Sequence, residues 1–289
     1  MTITVLLPVS LVADISDLRQ KTAKVGMVGR ALSIFRVDSV CIYDDHEPRL
    51  ENPRSEVRLV KTLLEYMETP QYLRKFLFGK IDELRYAGIL PPLRTPHHPT
   101  SDERTSRGSV REGVVLSSGG GRSVVELGLR KRGVLNEEVK AGARVTVRIV
   151  KDLGDRLLVE RVNRDEVKEY WGYRVFEAPS LRDAVRTSKA KFVIGTSKYG
   201  RIVMDVVDEL GAAETPIALA FGGPYAGLFE ICSREGIKPE ELFDLIVNTI
   251  PDQGTETVRT EEALLVSLAI LNFVRKVYYS RSQKTNAGA

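Results

Sequence analysis

Between residues 113 and 161 the spacing of hydrophobic residues differs from that in the rest of the chain, and this difference limits the folds that the chain can adopt. Four short apolar or alternating runs follow one another here without helical patterns between them, at 113–116, 123–129, 143–150 and 155–161. Over residues 144–149, polar side chains at even positions alternate with Val or Ile at odd positions, which is the period of a half-buried strand. Several short strands at close spacing predict a small inserted β-barrel similar to an OB-fold.

The segments on either side of these strands follow a different pattern. Apolar runs at 3–7, 39–43, 191–194, 216–221 and 242–247 predict buried strands, and residues 14–35, 56–67 and 261–278 carry apolar residues at helical spacing. This alternation predicts an α/β fold with a parallel sheet. We therefore predict an α/β domain made of residues 1–90 and 171–289, with the barrel at 91–170. The polar stretch 94–107 is predicted to be a linker, and the tail 281–289 to be disordered.

Composition narrows the class of protein. The 289 residues are 43% hydrophobic, no uninterrupted apolar run reaches the roughly 18 residues that span a bilayer, and the N-terminus has no signal-peptide pattern. Cys41 and Cys232 have no partner at metal or redox spacing, so we expect two reduced cysteines, no metal site and a cytoplasmic protein. The net charge of +4 and pI near 9.0 are compatible with a nucleic-acid partner.

Three loops follow predicted strands, at the edge where open α/β sheets bind ligands. The first, 195–201, has two glycines, hydroxyls and the cations Lys198 and Arg201, which suit either an anionic ligand or a solvated turn. The second, 221–230, has adjacent glycines that let a ligand approach the backbone or simply make a tight turn. Its Glu230 suits either a cofactor amine or ribose, or a helix surface.

The third loop, 248–260, is long, polar and glycine-bearing, and such loops in compact domains are usually functional. Thr260 is predicted to cap the final helix, and Glu261 and Glu262 to complement its dipole. Arg259 has no such local role and suits a phosphate, a carboxylate or a nearby acid. The helix that follows is apolar around most of its circumference, which predicts burial against its own core, a partner subunit or both. We favour both, and hence a homodimer.

Together these loops resemble the SPOUT class of methyltransferases. The specific part is the string Asn-Thr-Ile-Pro-Asp-Gln-Gly at 248–254 with Arg-Thr-Glu-Glu-Ala at 259–263; the chain is similar to the archaeal and eukaryotic branch with an OB-like insertion. The resemblance implies a trefoil knot, which is an exception among folds, a homodimer, S-adenosylmethionine as cofactor, and methylation of uridine in ribosomal RNA. The cofactor-binding residues that it implies are Gly195, Thr196, Leu219, Ala220, Phe221, Gly222, Gly223, Asn248, Thr249, Ile250, Gln253, Gly254, Thr260, Glu261, Glu262 and Ala263.

The expected reaction is attack of a base nitrogen on the methyl group, with removal of a proton. No histidine falls in the three loops, and they offer no convincing base. Arg259 and Arg201 are the candidates for stabilising negative charge on the nucleobase, and Arg130, Arg132, Arg144 and Arg148 of the barrel for binding the RNA backbone. The alternatives are a non-catalytic RNA-binding or ribosome-assembly factor, and a methyltransferase acting on transfer RNA or protein.

Overall fold

A computed structural model describes residues 2–100 and 104–287, with side chains described as far as Ser280. Its helices are α1 (Leu18–Ile34), α2 (Pro53–Glu68), α3 (Gln71–Leu77), α4 (Leu181–Ser188), α5 (Val207–Ala212), α6 (Leu228–Arg234), α7 (Pro239–Leu242) and α8 (Thr260–Ala287). Its strands are β1 (Ile3–Pro8), β2 (Ser39–Tyr43), β3 (Val110–Gly119), β4 (Arg122–Glu126), β5 (Gly133–Leu135), β6 (Arg144–Asp152), β7 (Leu157–Arg161), β8 (Arg174–Ala178), β9 (Phe192–Ile202), β10 (Ile217–Ala220) and β11 (Leu245–Asn248).

The chain divides into two compact units. The first contains Met1–Glu65, Tyr86–Pro91 and Tyr173–Ala289, and the second contains Tyr66–Arg85 and Pro92–Gly172. The second unit thus includes a segment, Tyr66–Arg85, that precedes the predicted boundary near residue 91. The physical reason is the packing of Tyr72, whose hydroxyl donates to the Glu112 carbonyl at 2.9 Å and whose ring lies against Gly128.

The first unit is built on a six-stranded sheet in the order β11-β9-β10-β1-β2-β8. All of its strand pairs are parallel, which confirms the predicted parallel α/β architecture. The central strand β1 is buried along its whole length, as expected for a strand covered on both faces. Strand β8 was not predicted, because its mixed sequence Arg-Val-Phe-Glu-Ala has no continuous apolar run.

Three predicted element bounds in this unit were wrong. Helix α1 begins at Leu18 rather than near Asp14, because Asp17 is the N-cap and accepts from the Gln20 amide. The segment 195–201 is not a loop: β9 continues through it to Ile202 and pairs with β11, with an irregularity between Ile246 and Val247. Helix α8 also extends to Ala287, so most of the predicted disordered tail is helical.

The second unit is a closed five-stranded barrel in the order β3-β4-β5-β7-β6. Its core holds the aliphatic residues that alternation assigned to the inward face, among them Val145, Val147 and Ile149. The remaining strand, β5, has three residues and was not predicted from the sequence, because a run that short shows no period. Its pairing with β7 is parallel, whereas the other barrel pairs are antiparallel.

A buried ionic cluster lies in the second unit around Glu68. Arg144 Nη1 lies 2.6 Å from Glu68 Oε2 and Arg164 Nη2 lies 2.9 Å from Oε1. Burial alone would raise the pKa of Glu68, but the guanidinium of Arg144, the hydrogen bond from His97 and the charge of Arg164 hold this pKa well below its usual range. Since Arg144 also pairs with Glu112 at 2.6 Å, its predicted role as an RNA contact was wrong.

Helix α8 is apolar on more of its surface than its own core covers. It was expected to be buried against its own core, a partner subunit or both, and in the single chain Leu265 and Phe273 are 43% and 68% exposed. By length and composition alone, Thr260–Ser280 could cross a membrane, which is weak evidence because a core helix passes the same test. Polar residues such as Ser267 and Asn272 interrupt it, which is why the sequence has no uninterrupted apolar run of that length.

Candidate functional site

A cavity of about 440 Å³ lies in the first unit. It is formed by segments that follow the carboxyl ends of β1, β10 and β11, together with the middle of β9. This is the edge at which open α/β sheets bind ligands, and the volume lies within the usual range for small-molecule sites. It is lined by Asp14, Lys24, 196–199, 221–227, Glu230, 248–250, Gln253, 256–260 and Ala263.

The glycine loop at 221–227 is held by three side-chain hydroxyls. Thr196 Oγ1 donates to the Ala220 carbonyl at 2.9 Å, Tyr43 OH donates to the Phe221 carbonyl at 2.6 Å, and Thr260 Oγ1 donates to the Gly222 carbonyl at 2.9 Å. Three successive carbonyl oxygens are therefore fixed from β9, β2 and α8. Burial raises the pKa of Tyr43 well above its usual value, so Tyr43 remains a neutral donor.

Behind this loop, Gly223 lies directly against the buried pair Ser10 and Asp45. Ser10 Oγ donates to Asp45 Oδ2 at 2.7 Å, and a Cβ added at Gly223 would lie 2.2 Å from that hydroxyl oxygen. Burial raises the pKa of Asp45 in spite of the two hydrogen bonds from Ser10. Glycine at position 223 therefore allows the loop to pack onto Ser10.

The segment 248–260 is ordered by its own polar groups. Asn248 Oδ1 accepts from the Ile250 amide at 3.0 Å, and Asn248 Nδ2 donates to the Lys198 carbonyl at 3.1 Å. Thr249 and Ser267 share a hydrogen bond of 2.8 Å between their hydroxyls. Gln253 Nε2 donates to the carbonyls of Thr255 and Glu256. These hydrogen bonds order the segment 248–260, which forms one wall of the cavity.

The two glutamates at the start of α8 have different roles. Glu262 Oε2 accepts from the Arg259 amide at 3.0 Å, which is a capping interaction of the predicted kind. Thr260 is itself the first helical residue, and its hydroxyl holds Gly222 instead of capping the helix. Glu261 is buried, and its Oε2 lies 3.3 Å from Lys24 Nζ, so it pairs across to α1.

The structure brings most of the predicted cofactor residues to the cavity, but not all of them. The lining includes Thr196, Phe221, Gly222, Gly223, Asn248, Thr249, Ile250, Gln253, Thr260 and Ala263. It does not include Gly195, Leu219, Ala220, Gly254, Glu261 or Glu262. An added Cβ at Gly195 would touch Leu228 and Phe243, so this glycine serves packing between β9 and its neighbours.

The two predicted arginines differ in position. Arg259 lines the cavity, and within the described residues its guanidinium forms no ion pair. Arg201 does not line the cavity, and it pairs with Glu209 at 2.8 Å on the surface. Of these two arginines, Arg259 is therefore the one available to a ligand.

The prediction from the three loops missed Asp14 and Lys24, which also line the cavity. Asp14 lies just before α1, and Lys24 lies within α1. One sequence signal was available. Lys24 precedes Val28 by four residues and shares its helix face, so a lysine interrupts an otherwise apolar stripe. It is buried at this position.

A family model described as "Putative RNA methyltransferase" matches residues 2–271 of the chain. The chain belongs to this family. The human 28S rRNA (uridine-N(3))-methyltransferase is 33% identical over 93% of this chain and 77% of its own length, and the enzyme of the same name from Drosophila melanogaster is 31% identical over 93% of this chain and 61% of its own. A Halobacterium salinarum protein, named only as uncharacterized, is 37% identical over 94% of this chain and 99% of its own length.

Among solved structures, the SpoU methyltransferase AviRb from Streptomyces viridochromogenes, in complex with AdoMet, aligns with 95% of this chain and 58% of its own at 10% identity. The TM-score is 0.33. At that score the alignment supports neither a fold assignment nor a ligand assignment. Membership of the family rests on the sequence matches, which makes the chain an RNA methyltransferase.

Proposed function

We propose that this protein transfers a methyl group from S-adenosylmethionine to N3 of a uridine in large-subunit ribosomal RNA. The observation that carries the proposal is the cavity at the carboxyl edge of the sheet, lined by ten predicted cofactor residues in a chain of an RNA methyltransferase family. The names of the human and fly relatives support the choice of uridine and of ribosomal RNA.

The residues present fit the cofactor. Phe221, Ile250 and Val258 offer apolar surface for a purine ring, and Arg259 offers a cation for a carboxylate. Two acidic side chains in the lining, Glu230 and Glu256, suit a ligand that carries an ammonium and a sulfonium. When bound, the cofactor supplies an electrophilic methyl group; the protein aligns the nucleobase with it and excludes water.

We also propose a trefoil knot in the first unit, an OB-like identity for the barrel, and a cytoplasmic location. The knot is supported by the approach of the C-terminal segment to two earlier ones, through Thr260 with Gly222 and Asn248 with Lys198. The barrel is supported by its five closed strands, and the location by two buried free cysteines. Arg130 and Arg132 are exposed on the barrel and are the residues that we propose contact the RNA backbone.

The enzyme is also proposed to be a homodimer. Leu265 and Phe273 form part of an exposed apolar side of α8, and Met27 and Ile34 of α1 are 54% and 51% exposed. Helices α1 and α8 pack together, so these side chains belong to neighbouring elements. Exposed apolar residues on two adjacent helices are typical of a surface that a partner covers.

The test measures cofactor binding and methyl transfer separately. Calorimetry with S-adenosylmethionine should give binding to the wild-type chain and none to Ala263→Phe, which fills the cavity from the first turn of α8. The matched control is Ala141→Phe, an exposed position in the second unit, which should bind normally. Unmodified large-subunit rRNA should then gain 3-methyluridine, detected by nucleoside mass spectrometry.

Two results would count against this function. Absence of cofactor binding would favour the non-catalytic RNA-binding factor. Binding with methylation of transfer RNA or protein, and none of ribosomal RNA, would change the substrate while keeping the enzyme.

A further inference from the structure

An ion-paired triad of Asp14, Lys24 and Glu261 lies beside the cavity. Lys24 of α1 is 5% exposed; its Nζ lies 3.1 Å from Asp14 Oδ1 and 3.3 Å from Glu261 Oε2. Asp14 and Lys24 line the cavity, whereas Glu261 does not. The triad therefore runs from buried Glu261, through Lys24, to a carboxylate at the cavity wall.

Stability alone does not account for this arrangement. Burying an ammonium and a carboxylate costs several kcal/mol of desolvation each, and apolar residues of similar size often replace such pairs without loss. Lys24 shares a helix face with Val28, where an apolar side chain would serve the core equally well. What the triad does achieve is to fix the position of the Asp14 carboxylate.

Asp14 differs from the other carboxylates of the lining. Asp14, Glu230 and Glu256 are all exposed residues, but neither glutamate forms an ion pair within the part of the chain that the structure describes. Asp14 is held by Lys24, and the adjacent carbonyl of Ala13 accepts a hydrogen bond of 3.3 Å from Tyr225 OH. It is therefore the acidic group that is anchored at the cavity, with a side chain still 30% exposed.

N3-methylation of uridine needs a proton acceptor, because N3 carries a hydrogen that must leave. Resting on the function proposed above, we propose that Asp14 accepts this proton, that Lys24 positions Asp14, and that Glu261 positions Lys24. The N3–H bond breaks and its proton passes to an Asp14 oxygen. The electron pair left on N3 forms the bond to the methyl carbon, and the carbon–sulfur pair returns to sulfur. Asp14 then releases the proton to water.

The test uses the full chain and two transcripts of unmodified large-subunit rRNA, one made with uridine and one with 5-fluorouridine. Fluorine withdraws electrons and makes N3–H more acidic, so the fluorinated substrate depends less on a base. Single-turnover rates are measured with tritiated S-adenosylmethionine, and cofactor affinity is measured by calorimetry without RNA.

Asp14→Asn should slow methyl transfer to uridine by about 100-fold or more, the usual contribution of a general base. Its cofactor affinity should stay within about threefold of wild type, and its defect should shrink by about tenfold on the fluorinated transcript. Lys24→Arg should retain most of the rate, whereas Lys24→Met should lose it.

Three outcomes would overturn the inference. Asp14→Asn could transfer methyl at the wild-type rate, or it could be equally slow on both transcripts, which would indicate a structural role. Alternatively, wild type could bind the cofactor and methylate neither transcript. That last result alone would remove the proposed function, and this inference with it.

Discussion

At the scale of single residues, the site depends on contacts that lie behind its visible wall. Gly223 lines the cavity, but the direction of its missing side chain is toward Ser10 and Asp45. A larger residue there would displace the loop from behind rather than fill the ligand space. A glycine in a binding loop can thus be required by the scaffold and not by the ligand.

Gly223→Ala should therefore weaken cofactor binding at least about tenfold, because a contact of 2.2 Å with Ser10 Oγ cannot be kept and the loop must shift. The double variant Ser10→Ala with Gly223→Ala removes that oxygen and should recover affinity to within about threefold of Ser10→Ala alone. Calorimetry on all three variants measures the coupling. Strictly additive losses would show that the two residues do not interact through the clash.

At the scale of elements, helix α2 ends in the buried ionic cluster of the second unit, around Glu68. The Glu68 carbonyl lies 2.9 Å from His97 Nε2 and 2.7 Å from His98 Nε2. Burial, and then the neighbouring His97, lower the pKa of His98 from 6.5 to about 3. The folded unit therefore holds His98 neutral at a pH where the unfolded chain would protonate it.

This pKa predicts the sign of a pH effect. Below pH 6.5 the unfolded chain binds a proton that the folded chain does not, so stability falls as the pH drops from 6.5 toward 3, by up to about 1.4 kcal/mol per pH unit. The single tryptophan, Trp171, is buried in the same unit. Its fluorescence should report a lower urea midpoint at pH 5 than at pH 7.

His98→Gln retains a donor for the Glu68 carbonyl and cannot titrate. It should reduce the difference between the two midpoints, and it is compared with His46→Gln, an exposed histidine of the first unit, which should leave the difference unchanged. Equal pH dependence in wild type and His98→Gln would assign the effect to another group.

The elements also show how much of the fold the hydrophobic pattern of the sequence can predict. Five predicted strands became β1, β2, β9, β10 and β11 because apolar runs bounded by polar residues are a strong local signal. The continuation of β9 through 195–201 was not predictable, because its partner is β11, some fifty residues away, and the pairing is irregular. The capping role of Glu262 is local, and it was predicted from the sequence. The pairing of Glu261 with Lys24 was not predicted, because it depends on how α8 packs on α1.

At the scale of the whole molecule, the exposed apolar surface of α1 and α8 predicts the oligomeric state. Phe273→Glu places a charge where the proposed interface would bury a side chain that is 68% exposed in one chain, and burying an unpaired charge is strongly unfavourable. Light scattering should give a dimer for wild type and a monomer for Phe273→Glu. The control Leu153→Glu, 46% exposed in the second unit, should remain dimeric, and a monomeric wild type would refute the homodimer.

The three hydroxyls that hold the glycine loop have one more consequence, which concerns synthesis of the chain. They come from Tyr43, Thr196 and Thr260, positions spread over most of the sequence. Translation produces the first two long before the third, so a growing chain still lacks one support of the pocket until residue 260 has left the ribosome. The glycine loop is therefore fully supported only after residue 260 has been made, and a nascent chain that stops short of it does not have the complete pocket.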